Sequence, residues 1–137
     1  MITLQLAFII LLGLSAKVVP ATLSGWLLVT GGLAIGGWAI LEMRHSKLRV
    51  QPEVATDAIL ITTGPYRFIR NPMYLSVLLV TAGWLLDRLI VWRVLIWLAL
   101  VVTLTLKLKF EELLLRVVFP DYEKYSKTTK RLIPFIW

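Results

Sequence analysis

Four apolar stretches dominate this chain, and their lengths limit what it can become. They run over residues 2–16 (to 19 if Lys17 snorkels), 24–41, 72–86 and 89–106. A helix needs about 20 apolar residues to cross a bilayer, with a range of roughly 17–25. Four such stretches in 137 residues leave little room for anything but an all-α, polytopic membrane protein of one domain. The composition agrees: 58% of the residues are hydrophobic and the mean hydropathy is +0.81. The first stretch could imitate a signal peptide. It lacks a basic leading region, and the next apolar stretch follows almost at once, so it reads as a retained helix.

The breaks organise the rest. Pro20 separates the first two spans. The second contains Gly31, Gly32, Gly36 and Gly37, and Gly32 with Gly36 forms a small-xxx-small pair that lets another helix approach. It ends at the charged cluster Glu42, Arg44, His45, Lys47 and Arg49. A polar loop with Pro52 and Pro65 follows. Asp87 and Arg88 alone separate the last two stretches, which predicts a tight antiparallel hairpin. The organisation is thus two N-terminal spans (1–42), a loop (43–71), a helical hairpin (72–106) and a C-terminal segment (107–137).

Charge sets the expected orientation. Twelve of the fifteen Lys and Arg fall in 43–70 and 107–137, so both segments are expected on the cytoplasmic side. That fits a prokaryotic inner-membrane protein with its site facing the cytoplasm. The net charge of +7 contains no long basic run ahead of the tail. It points to membrane topology and anionic lipid, with no nucleic-acid partner.

Past the fourth span, Phe110, Leu113, Leu114, Val117 and Val118 form one apolar helical stripe. The helix is expected to continue out of the membrane, pack this stripe against the domain and stop at Pro120.

The chemistry-bearing residues concentrate in "GPYRFIRNPMY", residues 64–74, and in the tail. Asn71 followed by Pro72 is an N-cap and first-turn pair that starts the third helix. A helix start offers free N–H groups to a carboxylate or phosphate, and Arg67 and Arg70 stand just before it. Tyr66 and Tyr74 bracket the arginines; interfacial tyrosines also serve as plain membrane anchors. Glu111 and Glu112 are adjacent, among only eight acids in the chain. Neighbours on a helix point about 100° apart. One can therefore pair along the helix, Glu112 with Arg116 or Lys107 with Glu111, while the other faces inward toward a cation or hydroxyls. Tyr122 and Tyr125, with Phe119, make an aromatic patch that reads as a membrane anchor or as a wall of a lipid-substrate pocket.

There is no cysteine and only one histidine, His45. No Ser-His-Asp set, Gly-rich phosphate loop or metal-ligand spacing occurs. Nucleophilic hydrolysis, metal chemistry and P-loop chemistry are therefore not expected. An enzyme made from these parts needs a reagent that is already reactive.

"LITTGPYRFIRNPMYLS", followed some forty residues on by "EELLLRVVFPDYEKY" and then "LIPF", resembles the integral-membrane methyltransferases of the isoprenylcysteine carboxyl methyltransferase and phospholipid N-methyltransferase group. Their pattern is roughly G-P-Y-R-x-x-R-H-P-x-Y-x-G, a hydrophobic hairpin, E-E, F-G-x-x-Y-x-x-Y and a late I-P. The likeness spans residues 60–135. It implies S-adenosylmethionine as cofactor, with contacts from Tyr66, Arg70, Asn71, Tyr74, Glu111 and Glu112. It further implies catalytic roles for Glu111 and Arg116 and acceptor contacts from Tyr122 and Tyr125. The acceptor is then a lipid-like molecule from the bilayer: a prenylated cysteine carboxylate, an isoprenoid or a phospholipid headgroup. It is expected to enter sideways, along a gap lined by the Gly-rich second helix.

Four positions depart from the pattern. Asn71 replaces a histidine and cannot carry charge. Ser76 and Pro120 replace glycines. Thr128 stands where many members have an arginine, for which Arg116, Lys127, Lys130 or Arg131 are candidate replacements. Two other functions fit the residues less fully. A non-catalytic protein binding anionic lipid or a partner would leave Glu111 and Glu112 dispensable. A nicotinamide-dependent membrane reductase would need phosphate-binding elements that are not apparent.

Overall fold

The computed structural model describes residues 2–15, 20–45 and 60–137. Lys17 and the loop residues Lys47, Arg49 and Pro52 lie outside the described residues. Helix α1 covers Ile2–Ser15, α2 Leu23–His45, α3 Pro72–Leu86, α4 Val91–Val118 and α5 Tyr122–Thr128, with a 3-10 turn at Gly64–Arg67. No strand occurs among the described residues, only one isolated parallel bridge between Ile69 and Lys130. The all-α expectation holds. Helix α3 starts and ends where the sequence places it. Helix α2 runs four residues past residue 41, so Glu42 and Arg44 ride on the helix.

Two helices, α2 and α4, have the length and composition to cross a membrane. At 1.5 Å per residue, the 28 residues of α4 reach about 42 Å, well over the roughly 30 Å of a hydrocarbon core. Helices α1 and α3 are apolar but shorter.

The chain divides into two compact units, Met1–Ala34 with Ser76–Lys107 and Ile35–Leu75 with Leu108–Trp137. In the first unit, α2 and α3 touch through glycine. A Cβ on Gly32 would lie 2.9 Å from the Ser76 carbonyl oxygen, and one on Gly83 would lie 2.8 Å from that of Gly25. Gly32 thus has the expected close-approach role, with Gly25, seven residues earlier, as its companion. At Gly32 this face is closed by α3, whereas Gly31 and Gly37 have no such neighbour. Across the hairpin, the Trp97 indole N–H donates to the Thr81 hydroxyl at 3.1 Å, and that hydroxyl donates to the Val77 carbonyl.

The hairpin turn is built on a buried cation. Arg93 is 1% exposed, and its guanidinium donates to the carbonyls of Trp84 at 2.8 Å and Arg88 at 3.1 Å. The Trp84 carbonyl lies in the last turn of α3, where helical carbonyls lack partners. Asp87 accepts from the Ala21 N–H at 2.8 Å and holds the turn ahead of α2.

In the second unit, Pro65, Ile69, Pro72, Leu108, Tyr122, Tyr125 and Leu132 are buried. The expected packing of the α4 stripe is overturned here. Phe110, Leu113, Val117 and Val118 are exposed and only Leu114 is half-buried, while the inward face carries Leu108 and Glu112. Glu112 takes the inward position because a buried carboxylate needs countercharges and hydrogen bonds, which the folded chain supplies; the apolar stripe carries no such requirement.

Candidate functional site

The segment 64–74 and residues 122–131 meet through their backbones. The Arg70 N–H donates to the Lys130 carbonyl at 2.7 Å, the Lys130 N–H to Phe68 at 3.1 Å, and the Asn71 N–H to Arg131 at 3.2 Å. Gly64 makes the turn that opens this segment. Its φ is +58°, and a Cβ there would stand 2.5 Å from the Glu42 side chain. Glu42 in turn accepts from the Thr63 hydroxyl at 2.8 Å.

Arg70 then reaches α4. Its Nε donates to one oxygen of Glu112 at 2.9 Å, with the two side chains 7% and 5% exposed. Its Nη1 donates to the carbonyls of Ser126 at 2.6 Å and Thr129 at 2.7 Å. The other Glu112 oxygen accepts from Arg131 Nε at 3.1 Å. Glu112 is therefore the inward glutamate, and it pairs with Arg70 and Arg131 instead of Arg116. Glu111, half-buried, accepts from the Tyr74 hydroxyl at 2.7 Å. Both glutamates are thus joined to the 64–74 segment, each by one residue.

Asn71 behaves differently from the expected cap. Its carbonyl accepts from the N–H groups of Tyr74 and Leu75, which starts α3. Its side-chain amide, however, donates to the Arg131 carbonyl at 3.0 Å. The side chain ties the helix start to the C-terminal segment, a use for which charge is unnecessary.

Tyr122 and Tyr125 are too buried to act as membrane anchors, at 1% and 9% exposed. Their rings pack edge to face at 5.8 Å, and the Tyr125 hydroxyl donates to the Tyr66 carbonyl at 2.6 Å. Burial pushes the Tyr66 and Tyr122 phenols up to about 12 and raises Tyr125 as well. All three stay neutral at physiological pH. Arg116 is exposed and close enough to act electrostatically on Tyr122.

Of the expected site residues, Tyr66, Arg70, Asn71, Tyr74, Glu111, Glu112, Tyr122 and Tyr125 are thus linked in one network; Arg116 stands at its side. Sequence reasoning named Arg131 only as one of four candidate replacements for the family's arginine and missed the part played by the Ser126 and Thr129 carbonyls. Backbone acceptors leave no signature in side-chain patterns. Arg131 was one basic residue among several in the tail.

An all-α fold with two membrane-length helices and a network of arginines, glutamates and tyrosines from separate segments points to a membrane protein with a polar site among the described residues. The chain belongs to the phospholipid methyltransferase family, whose model matches residues 20–122. That range includes Tyr66 through Tyr122 of the network and stops short of Tyr125 and Arg131. Neither a curated protein nor a solved structure matches the chain.

Proposed function

We propose that this protein transfers a methyl group from S-adenosylmethionine to a lipid-like acceptor drawn from the bilayer. Family membership supports methyl transfer to lipid-like substrates. The observation that carries the finer reading is the double link between segment 64–74 and the glutamate pair, Arg70 to Glu112 and Tyr74 to Glu111.

The residues present fit such a cofactor. Glu111 is a half-buried carboxylate already engaged by a tyrosine hydroxyl, a donor set suited to ribose hydroxyls or to a cationic group. Tyr66 and Tyr74 are partly exposed aromatic residues on the same segment, able to border an adenine ring or a cation. Asn71 fixes the start of α3. Arg70 and Glu112 hold the frame: most of their donors and acceptors are committed to each other and to backbone carbonyls. When bound, S-adenosylmethionine supplies a methyl group that is already electrophilic.

The protein's part is then mainly alignment and exclusion of water, and alignment can contribute about 7–11 kcal/mol. Glu111 takes the proton of an amine acceptor; a carboxylate acceptor needs no base. Arg116, exposed near Tyr122, is available to the acceptor headgroup. Tyr122 and Tyr125 support the site from behind. All four apolar helices cross the membrane, the hairpin 72–106 among them, and segments 43–71 and 107–137 lie in the cytoplasm. The charge distribution supports that orientation.

Isothermal calorimetry of S-adenosylmethionine and S-adenosylhomocysteine with the detergent-solubilised protein tests this reading. The wild type binds both. Glu111→Ala weakens binding about 10–100-fold, as loss of a charge-assisted hydrogen bond does. A folded wild type that binds neither compound refutes the reading and returns attention to anionic-lipid binding.

A further inference from the structure

Glu112 lies between two guanidinium groups that differ in kind. Arg70 is 7% exposed and spends Nε and Nη1 on Glu112 and two carbonyls. Arg131 is 33% exposed. It spends only Nε, and neither of its Nη atoms has a partner among the described residues.

The Arg131 guanidinium is nevertheless held. Its backbone is pinned by Asn71, whose N–H and side-chain amide both donate to the Arg131 carbonyl. The Glu112 carboxylate holds one edge at 3.1 Å. The Trp137 ring lies 5.7 Å from the guanidinium carbon, within cation–π range. Trp137 is placed in turn by the N–H groups of Leu132 and Ile133, which both donate to its main-chain oxygen at 2.8 Å. The outer fork, with its N–H donors, is left facing away from Glu112.

We propose that Arg131 is an anion-binding residue of the site, and that its Nη fork takes a two-oxygen anion. In the methyl-transfer reading above, on which this assignment rests for its ligand, that anion is either the phosphate of a lipid acceptor or the carboxylate of the methyl donor. A guanidinium restrained at its backbone, its edge and its face loses little freedom on binding. Its planar fork matches such an anion with two parallel hydrogen bonds.

Three measurements on full-length protein in mixed micelles test this. The first does not depend on methyl transfer: inorganic phosphate at constant ionic strength raises the melting temperature of the wild type, and both Arg131→Lys and Arg131→Gln abolish most of that rise. The second is the calorimetric Kd for S-adenosylhomocysteine. The third is KM for phosphatidylethanolamine. Arg131→Gln weakens one of the latter two about 10–100-fold: a changed Kd identifies the donor carboxylate, and a changed KM identifies the lipid phosphate. Arg131→Lys keeps the charge on Glu112 but loses the fork, and still weakens that same quantity at least about fivefold. If Arg131→Gln does not fold, the lysine variant decides alone. No phosphate-dependent rise in the wild type, or values within twofold in a folded variant, overturns the assignment and leaves Arg131 a partner of Glu112 only. A wild type stabilised by phosphate that neither binds S-adenosylhomocysteine nor transfers methyl keeps the anion site and refutes the methyl-transfer reading.

Discussion

The Arg70–Glu112 pair is the strongest test of how the second unit is held together. The side chains are 7% and 5% exposed and 2.9 Å apart, so neither charge is well hydrated. Breaking a buried pair by removing one partner costs about 3–5 kcal/mol, because the other charge stays behind uncompensated. The two halves are unequal here. Removing Glu112 leaves Arg70 with the Ser126 and Thr129 carbonyls, and Arg131, one-third exposed, can turn toward solvent; Glu112→Ala belongs at the lower end, about 3 kcal/mol. Removing Arg70 orphans a carboxylate oxygen and two carbonyls together, so Arg70→Ala belongs at the upper end, about 5 kcal/mol. Glu112→Gln keeps an acceptor for Arg70 Nε and costs less than Glu112→Ala. The double variant Arg70→Ala/Glu112→Ala leaves no unpaired charge between them. Its cost therefore falls short of the sum by about 2–3 kcal/mol. Reversible unfolding in mixed micelles, followed by circular dichroism for the wild type and the variants, measures the cycle. A coupling below about 0.5 kcal/mol, the value of exposed pairs, would refute the claim that this ion pair joins the two segments.

Two further outcomes follow from the same unit. Gly64→Ala puts a side chain at φ +58° and a methyl carbon 2.5 Å from the Glu42 side chain; it costs at least about 1–2 kcal/mol for the backbone alone. Adding Glu42→Ala recovers only the steric share, so a full recovery of the melting temperature would show that the positive φ is unimportant. The tyrosines set an alkaline limit. Tyr122 ionises near 10 in the unfolded chain and near 12 when folded, so above pH 10 the folded state holds protons that the unfolded state has released. Stability that is complete below pH 10 declines as the pH rises from 10 to 12. Tyr122→Phe makes the decline shallower, and an unchanged slope in that variant would remove Tyr122 as a cause.

Local sequence alone determined the helices and their punctuation. Pro72 after Asn71 starts α3, Asp87-Arg88 opens the hairpin turn, and α4 stops before Pro120, because proline geometry and apolar run length act over a few residues. The residue types of the site were legible too, since arginine, glutamate and tyrosine beside so much apolar sequence are conspicuous. Their pairing was not. Glu112 stands four residues before Arg116, and only the folded chain shows that it turns to Arg70 and Arg131 instead. Asn71 reads as a cap, yet its amide goes to a carbonyl sixty residues away. The stripe of Phe110, Leu113 and Val117 reads as a buried face, yet it lies exposed. For Glu112 and Asn71 the sequence offers a good local role and the fold supplies a distant partner instead. A buried charge needs a countercharge and hydrogen bonds from whichever segment can reach it. An apolar side chain has no comparable requirement, so its direction is left to the tertiary structure.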